Sequence, residues 1–370
     1  MFKKKRIAVL GATGSIGKSS LDIILRDTEN FEVVLLAARS NGKELLEASK
    51  QFPGAVCVLQ EKDGEEKLFS IIKDLKPDIT INGISGAAGL KPSIAAIEAG
   101  SDLALANKET IVMAGQLVMR LAKEKNVNII PVDSEHSAIF HLLKAYTKEE
   151  DKNTKINEII LTASGGPFRK LSKEEMRNVT VKNALAHPTW NMGPKITIDS
   201  ASMANKGLEI IEACVFFNMS ADKIKVVIHP QSIVHSMIRL CNGVIYAQIS
   251  KPDMRHPIHD AIYWPVTTPS ALEPINFDDL SLEFFKPDTE KFPMLRLAFE
   301  AAKQGGLYPC AYNAANEIAV AAFIESKIGF LDIPRITENV LQSDWTGDNM
   351  ELDSILKADS DARRDANKNI

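Results

Sequence analysis

An apolar run at residues 7–10 leads straight into Gly11-Ala12-Thr13-Gly14-Ser15-Ile16-Gly17, and a helical pattern and a second β-rich run follow. Nothing else in the chain constrains its fold as strongly. Residues without a Cβ let the backbone turn tightly and approach a ligand, and the free N–H groups that open a helix favour negative charge. A Gly-x-x-Gly-x-x-Gly turn between a strand and a helix therefore predicts a dinucleotide whose pyrophosphate rests on Gly11, Gly14 and Gly17. A purely structural turn is the alternative, and the order strand, turn, helix, strand argues against it.

The first third of the chain extends this pattern. β-rich runs at 7–10, 33–37, 55–59, 79–82, 102–105 and 128–132 alternate with helical patterns at 17–25, 42–51, 65–75, 92–99 and 110–124. Such alternation predicts an α/β fold with a mostly parallel, doubly wound sheet, here an N-terminal Rossmann-like dinucleotide-binding domain over 1–150. The charged stretch 147–155 marks its end. A central α/β catalytic and dimerisation domain is expected over 151–265, with strands at 156–162, 196–198, 225–228 and 244–249 and a helix at 204–217; a further helix is expected at 139–146. Prolines and weak periodicity make 266–288 a linker. Alanine-rich helical patterns at 294–304, 310–326 and 333–342 make 289–370 a small C-terminal α-helical domain.

With 370 residues the chain exceeds one ordinary core. Its net charge of −4, with no long basic stripe, argues against nucleic acid as a partner. No apolar run approaches the roughly 20 residues that span a bilayer. A strand beginning almost at Met1 leaves no room for a targeting peptide, so a cytoplasmic protein is expected. Cys57, Cys214, Cys241 and Cys310 are scattered without metal or redox spacing, which fits a reducing compartment and ordinary packing.

At the end of the second strand an NAD-binding chain would carry a carboxylate for the ribose 2′-hydroxyl. Arg39, Ser40 and Asn41 stand there instead, a cation and small donors suited to a 2′-phosphate, so NADPH is expected. Asp133 and Glu135 flank Ser134 after the apolar run 129–132. In extended backbone positions i and i+2 face one way, and two such carboxylates suit a hard cation such as Mg2+ or Mn2+. Asp133 capping a helix that starts near Ser137 is the rival reading. A third carboxylate comes from Glu209 or Glu212, which share a helical face.

Ser164-Gly165-Gly166 follows a strand, and Ser200 to Ser202 precedes Asn205 and Lys206. Hydroxyls, amides, backbone N–H groups and an ammonium are what a phosphate monoester needs, so the two segments together predict a phosphorylated substrate. The loop His187-Pro188-Thr189-Trp190-Asn191-Met192-Gly193 could close over that substrate; a buried tryptophan in a static corner is the alternative.

These residues collectively resemble the 1-deoxy-D-xylulose 5-phosphate reductoisomerase family. The resemblance runs from the glycine turn through Asn107-Lys108-Glu109, Asp133-Ser134-Glu135, Ser164-Gly165-Gly166, the 187–193 loop and Asn205 to Glu209. It continues in His229-Pro230-Gln231-Ser232, Pro252-Asp253-Met254-Arg255 and Asn313-Ala314-Ala315-Asn316-Glu317. It implies a homodimer that binds Mg2+, Mn2+ or Co2+ through Asp133, Glu135 and Glu209, and so prefers Glu209 to Glu212. Substrate contacts are implied for Lys108, Ser134, Glu135, Ser164, His187, Trp190, Ser200, Asn205, Lys206 and Glu209, with phosphate falling mainly to Ser164, Ser200, Asn205 and Lys206. Catalytic roles are implied for Lys108, His187 and the three metal carboxylates. NADPH contacts are implied for Gly11, Thr13, Gly14, Ser15, Ile16, Gly17, Arg39, Ser40, Asn41, Asn107, Glu109, Met192 and Gly193. The implied reaction rearranges a ketose phosphate and reduces the resulting aldehyde in non-mevalonate isoprenoid biosynthesis. The stretch 348–370, polar and helical-looking, resembles the family least. Two rivals remain: a plain phosphosugar or semialdehyde dehydrogenase with no rearrangement, of which the semialdehyde type would need a poised cysteine, and a non-catalytic NADPH sensor.

Overall fold

The computed structural model describes residues 4–148, 155–190 and 192–370. Lys3, most of the charged stretch near 150 and Asn191 of the loop lie outside the described residues. The chain forms two compact units, each discontinuous in sequence. The first comprises Met1–Thr110, Val118–Ser137 and Asp253–Leu272, and the second Ile111–Leu117, Ala138–Pro252 and Glu273–Ile370.

The first unit holds a six-stranded sheet of order β3-β2-β1-β4-β5-β6, all parallel. The strands are β1 Lys5–Leu10, β2 Phe31–Ala38, β3 Val56–Leu59, β4 Ile79–Asn82, β5 Asp102–Leu105 and β6 Ile129–Pro131. Ile7 to Leu10 of β1 have no exposed surface, as a central strand covered on both faces requires. The strand order reverses between β1 and β4, and ligands of doubly wound sheets bind outside the strand ends at such a switch point. The glycine turn leaves β1 there.

Residues 253–272 also return to this unit. The Tyr263 hydroxyl donates to Asp27 at 2.5 Å, its ring meets Phe31 edge-on at 4.9 Å, and Lys5 Nζ donates to the carbonyls of Ile262 and Trp264, both at 3.0 Å. The boundaries at 150 and 265 expected from the sequence divide the chain differently, because they follow composition and not packing.

The second unit contains a mixed sheet of order β10-β9-β7-β8, built from β7 Ile156–Ala163, β8 Ile224–Ile228, β9 Val234–Leu240 and β10 Ile245–Ile249. β7 and β8 are parallel, whereas β9 runs antiparallel to both β7 and β10. β9 was not anticipated. Residues 196–198, expected as a strand, instead belong to the helix Pro194–Ser202. Pro194 at the first helical position pre-sets the backbone, and this outweighs the β-branched Ile-Thr-Ile that follows. Helices Pro293–Gln304, Tyr308–Ile324, Asp332–Leu341 and Leu352–Lys368 complete the unit. Gly207 lets the helix Ala204–Phe216 lie against two of them, since a Cβ there would run into the Tyr312 hydroxyl and lie 2.8 Å from Ala298 Cβ. Much of 266–288 is without helix or strand; an isolated bridge joins Phe285 to Ile228.

Candidate active site

Gly11, at φ +79, turns the chain out of β1, and a Cβ there would sit 2.8 Å from the Gly83 carbonyl oxygen. The N–H groups of Gly11 and Ala12 donate to Ala37 O at 2.9 and 2.8 Å, which ties the turn to β2. Gly17 is buried, and a Cβ on it would overlap the Gly11 carbonyl and come within 2.6 Å of Ala12 Cα, so it seats the helix Ser15–Leu25 on the turn. That helix starts two residues earlier than the pattern suggested. No side chain caps it and no acidic residue lies in its first turn. Thr13, Gly14, Ser15 and Ile16 thus surround a helix start that retains its positive character.

At the end of β2, Arg39, Ser40 and Asn41 are exposed. Arg39 lies 3.5 Å from Glu61, and Asn41 caps the helix Gly42–Gln51 by accepting from Glu44 N at 3.1 Å. Asn107 opens the helix Lys108–Lys125. Its Nδ2 donates to Ile84 O, Gly86 O and Glu109 Oε2 at 2.6, 2.9 and 3.0 Å, and its Oδ1 accepts from Thr110 N at 2.9 Å. Asn107 and Glu109 are therefore held together beside the 84–86 loop.

Lys108 is 5% exposed and donates to Asp133 Oδ2 at 2.9 Å. The other Asp133 oxygen accepts from Glu135 N at 3.1 Å and lies 3.2 Å from His136 Nδ1. Asp133 therefore caps the helix Ser134–Tyr146, which begins earlier than expected. The extended geometry expected for Asp133 and Glu135 is corrected accordingly: both lie at a helix start, where the N–H groups favour carboxylates. Ser134 donates to Glu135 Oε2. His136, with no exposed surface, escaped the sequence reading, although its position three residues after Asp133 on a helix was a signal.

In the second unit Gly165 and Gly166, at φ +83 and +66, fold the end of β7 so that Ser164 meets His187. Ser164 Oγ and Ser200 Oγ each lie 3.1 Å from His187 Nε2. His187 Nδ1 accepts from Thr189 N at 3.1 Å and Trp190 N at 2.9 Å, so the ring proton sits on Nε2 and is donated toward the serines. Burial pushes the imidazole pKa below its ordinary 6.5. The Trp190 ring lies 6.4 Å from that of His235, Met192 is half-buried and Gly193 is exposed.

On the helix Ala204–Phe216, Asn205 Nδ2 donates to Glu209 Oε1 at 2.5 Å and Lys206 donates to Glu209 Oε2. Glu209 has no exposed surface and Lys206 is 3% exposed. A carboxylate this deep requires compensation by charge and hydrogen bonds, and both come from groups that also suit a phosphate. Glu212 is buried on the same helix.

The cysteines do not all pack as expected: Cys57 and Cys241 are exposed. Burial pushes Cys214 up to about 12 and raises Cys57 and Cys310 too. None of these three is a poised thiolate.

His187 gives a pH test. Its folded pKa is depressed, so below about 6.5 the unfolded chain binds more protons and the stability contributed by the neutral ring is lost as pH falls. Protonation would put a hydrogen on Nδ1, which must accept from Thr189 and Trp190. KM for a phosphorylated substrate is expected to hold between about pH 8 and 6.5 and to rise below that, relative to His187→Asn. A KM with equal pH dependence in both proteins would refute the assignment.

Residues 7–68 and 59–115 match the 1-deoxy-D-xylulose 5-phosphate reductoisomerase family, 129–217 match its C-terminal domain, and 249–365 match a further DXP reductoisomerase C-terminal domain. The reductoisomerase of Pelodictyon phaeoclathratiforme is 47% identical, with 99% of this chain and 100% of that protein covered. That of Treponema denticola is 48% identical over 97% and 96%. The reductoisomerase structure from Zymomonas mobilis in complex with NADPH is 40% identical, covers 98% of both chains and has a TM-score of 0.88. A DOX-P reductoisomerase structure with NADPH, fosmidomycin and magnesium is 37% identical over 99% and 98%, with a TM-score of 0.92.

Proposed function

The chain belongs to the 1-deoxy-D-xylulose 5-phosphate reductoisomerase family, and we infer from this that it is the oxidoreductase that rearranges and reduces 1-deoxy-D-xylulose 5-phosphate to 2-C-methyl-D-erythritol 4-phosphate. It uses NADPH and a divalent metal and serves non-mevalonate isoprenoid biosynthesis. Identity near 47% over almost the whole chain carries the reading.

The residue assignments are our proposal. NADPH lies on Gly11, Thr13, Gly14, Ser15, Ile16 and Gly17, with Arg39, Ser40 and Asn41 at the 2′-phosphate and Asn107, Glu109, Met192 and Gly193 along the remainder. The uncapped helix at Ser15 supports the first group, and the exposed guanidinium of Arg39 supports the second. Asp133, Glu135 and Glu209 hold the metal. The chemistry of the donor set supports this: carboxylate oxygens are what Mg2+ or Mn2+ takes, and Lys108 and Lys206 pair with Asp133 and Glu209. When bound, the metal polarises the ketose oxygens while NADPH supplies hydride.

The chain's own groups do the rest. Ser164, Ser200, Asn205 and Lys206 bind the phosphate, and His187 donates from Nε2 alongside them. Holding the phosphate fixes the reacting carbons at the other end of the molecule. Ser134 orients Glu135, and Lys108 positions the substrate and offers a proton to developing negative oxygen. Trp190 and Met192 exclude water.

No helix among the described residues is long and apolar enough to cross a membrane. We propose a homodimer acting in the cytoplasm, with 1–150 serving the nucleotide and contributing Lys108, Asp133, Ser134 and Glu135 to the chemistry, 151–265 supplying the rest of the catalytic groups and the dimer contacts, 266–288 as a linker, and 289–370 supporting them. A cysteine-dependent dehydrogenase is disfavoured by the raised thiols at Cys57, Cys214 and Cys310.

Purified protein is expected to oxidise NADPH with 1-deoxy-D-xylulose 5-phosphate, to stop when EDTA is added, and to resume with excess Mg2+ or Mn2+. NADH should serve far less well. Turnover that survives chelation would rule out the metal site, and equal use of NADH would rule out the role of Arg39.

A further inference from the structure

We propose that Asp199, backed by Asn316, is a positioning residue for the phosphate-binding serine Ser200, and that the last helix, Leu352–Lys368, holds this pair in register. The proposal rests on the functional reading above and extends it to residues outside the site.

Asp199 lies on the helix Pro194–Ser202, 1% exposed, beside Ser200. Its Oδ1 accepts from Asn316 Nδ2 at 2.8 Å, and its Oδ2 pairs with Lys195 Nζ at 2.8 Å. A buried carboxylate is costly unless it is paired and hydrogen-bonded, and a negative charge next to a phosphate site adds repulsion. Lys195, one turn earlier on the helix, balances the charge. The bond to Asn316 then acts as a directional tether, fixing the helix that presents Ser200. Gly166 approaches this helix closely at Ser200, where a Cβ would lie 2.6 Å from Ser200 O.

Asn316 belongs to the helix Tyr308–Ile324 and has no exposed surface. On the same helix Asn313 Nδ2 donates to Glu317 Oε1 at 3.2 Å. Arg363 of the last helix donates to Glu317 Oε2 at 2.6 Å and to Asp359 Oδ2 at 2.8 Å. Arg363 is about a quarter exposed, so this fork is partly shielded from water and ties the final helix to the one that carries Asn316. A terminal segment whose sequence suggests no role is thus joined to Ser200 through hydrogen bonds and two helices.

The test compares Asn316→Ala and Asn316→Leu, both of which remove the donor to Asp199, with the unaltered protein at saturating NADPH and metal. KM for 1-deoxy-D-xylulose 5-phosphate is expected to rise at least tenfold with kcat within about twofold, and inorganic phosphate should inhibit correspondingly less well. Arg363→Gln, at a less buried position, should shift KM the same way by a smaller factor, and keeps the test open if the buried variants do not fold. A loss carried by kcat with KM unchanged, or no change in either, would overturn the proposal. Failure of the unaltered protein to oxidise NADPH with this substrate would instead sink the functional reading.

Discussion

Replacing Glu209 by glutamine is expected to lower kcat/KM by about a thousandfold, roughly 4 kcal/mol of transition-state stabilisation, while NADPH affinity stays within about twofold. Glutamine matches the shape of glutamate in a slot with no exposed surface, so packing survives. Charge does not: the buried ammonium of Lys206 loses the Glu209 carboxylate, and a divalent cation would lose a ligand. Cofactor affinity measured by NADPH fluorescence separates this from a general loss of fold. Glu212→Gln, on the same helix, is the control, and should retain most of the activity. Unchanged turnover in the Glu209 variant would remove this residue from the metal site and revive the non-catalytic sensor.

Gly17→Ala is expected to raise the KM for NADPH by at least a hundredfold and to cost about 1–3 kcal/mol of stability. The added carbon meets backbone at Gly11 and Ala12, and backbone cannot rotate aside as a side chain can. Either the helix Ser15–Leu25 lifts off the turn or the turn opens, and in both cases the N–H groups leave the position offered to pyrophosphate. Gly54→Ala, where a Cβ meets nothing within 4 Å, should leave melting temperature and KM alone. An unchanged cofactor KM in the Gly17→Ala variant would mean that the turn does not carry the nucleotide.

The parallel sheet was legible because each of its strands is short, apolar and followed by a helical period, so local pattern and tertiary placement agree. Where they diverge, reading failed. Ile196-Thr197-Ile198 has strand chemistry, but Pro194 had already started a helix. β9 follows a turn and pairs antiparallel with β7 and β10, a partnership set by residues far along the chain. The backbone of Asp133 and Glu135 was not legible, since carboxylates that suit a cation equally suit a helix start. For His187 the residue type was evident, yet its tautomer depends on the N–H groups of Thr189 and Trp190. Asp199 and Asn316 stand 117 residues apart, and no local pattern joins them.

The return of residues 253–272 to the first unit bears on how the protein can be made and inherited. Lys5 finds its carbonyl partners 257 and 259 residues later, so the nucleotide-binding part stays incomplete during synthesis until most of the second unit has emerged. A fragment ending at residue 150 would leave that ammonium without those two carbonyls, Asp27 without the Tyr263 hydroxyl and Phe31 without the Tyr263 ring. The Rossmann-like part of this chain is therefore no cassette to be excised or exchanged at a single junction, and insertions that respect it must spare two distant stretches at once.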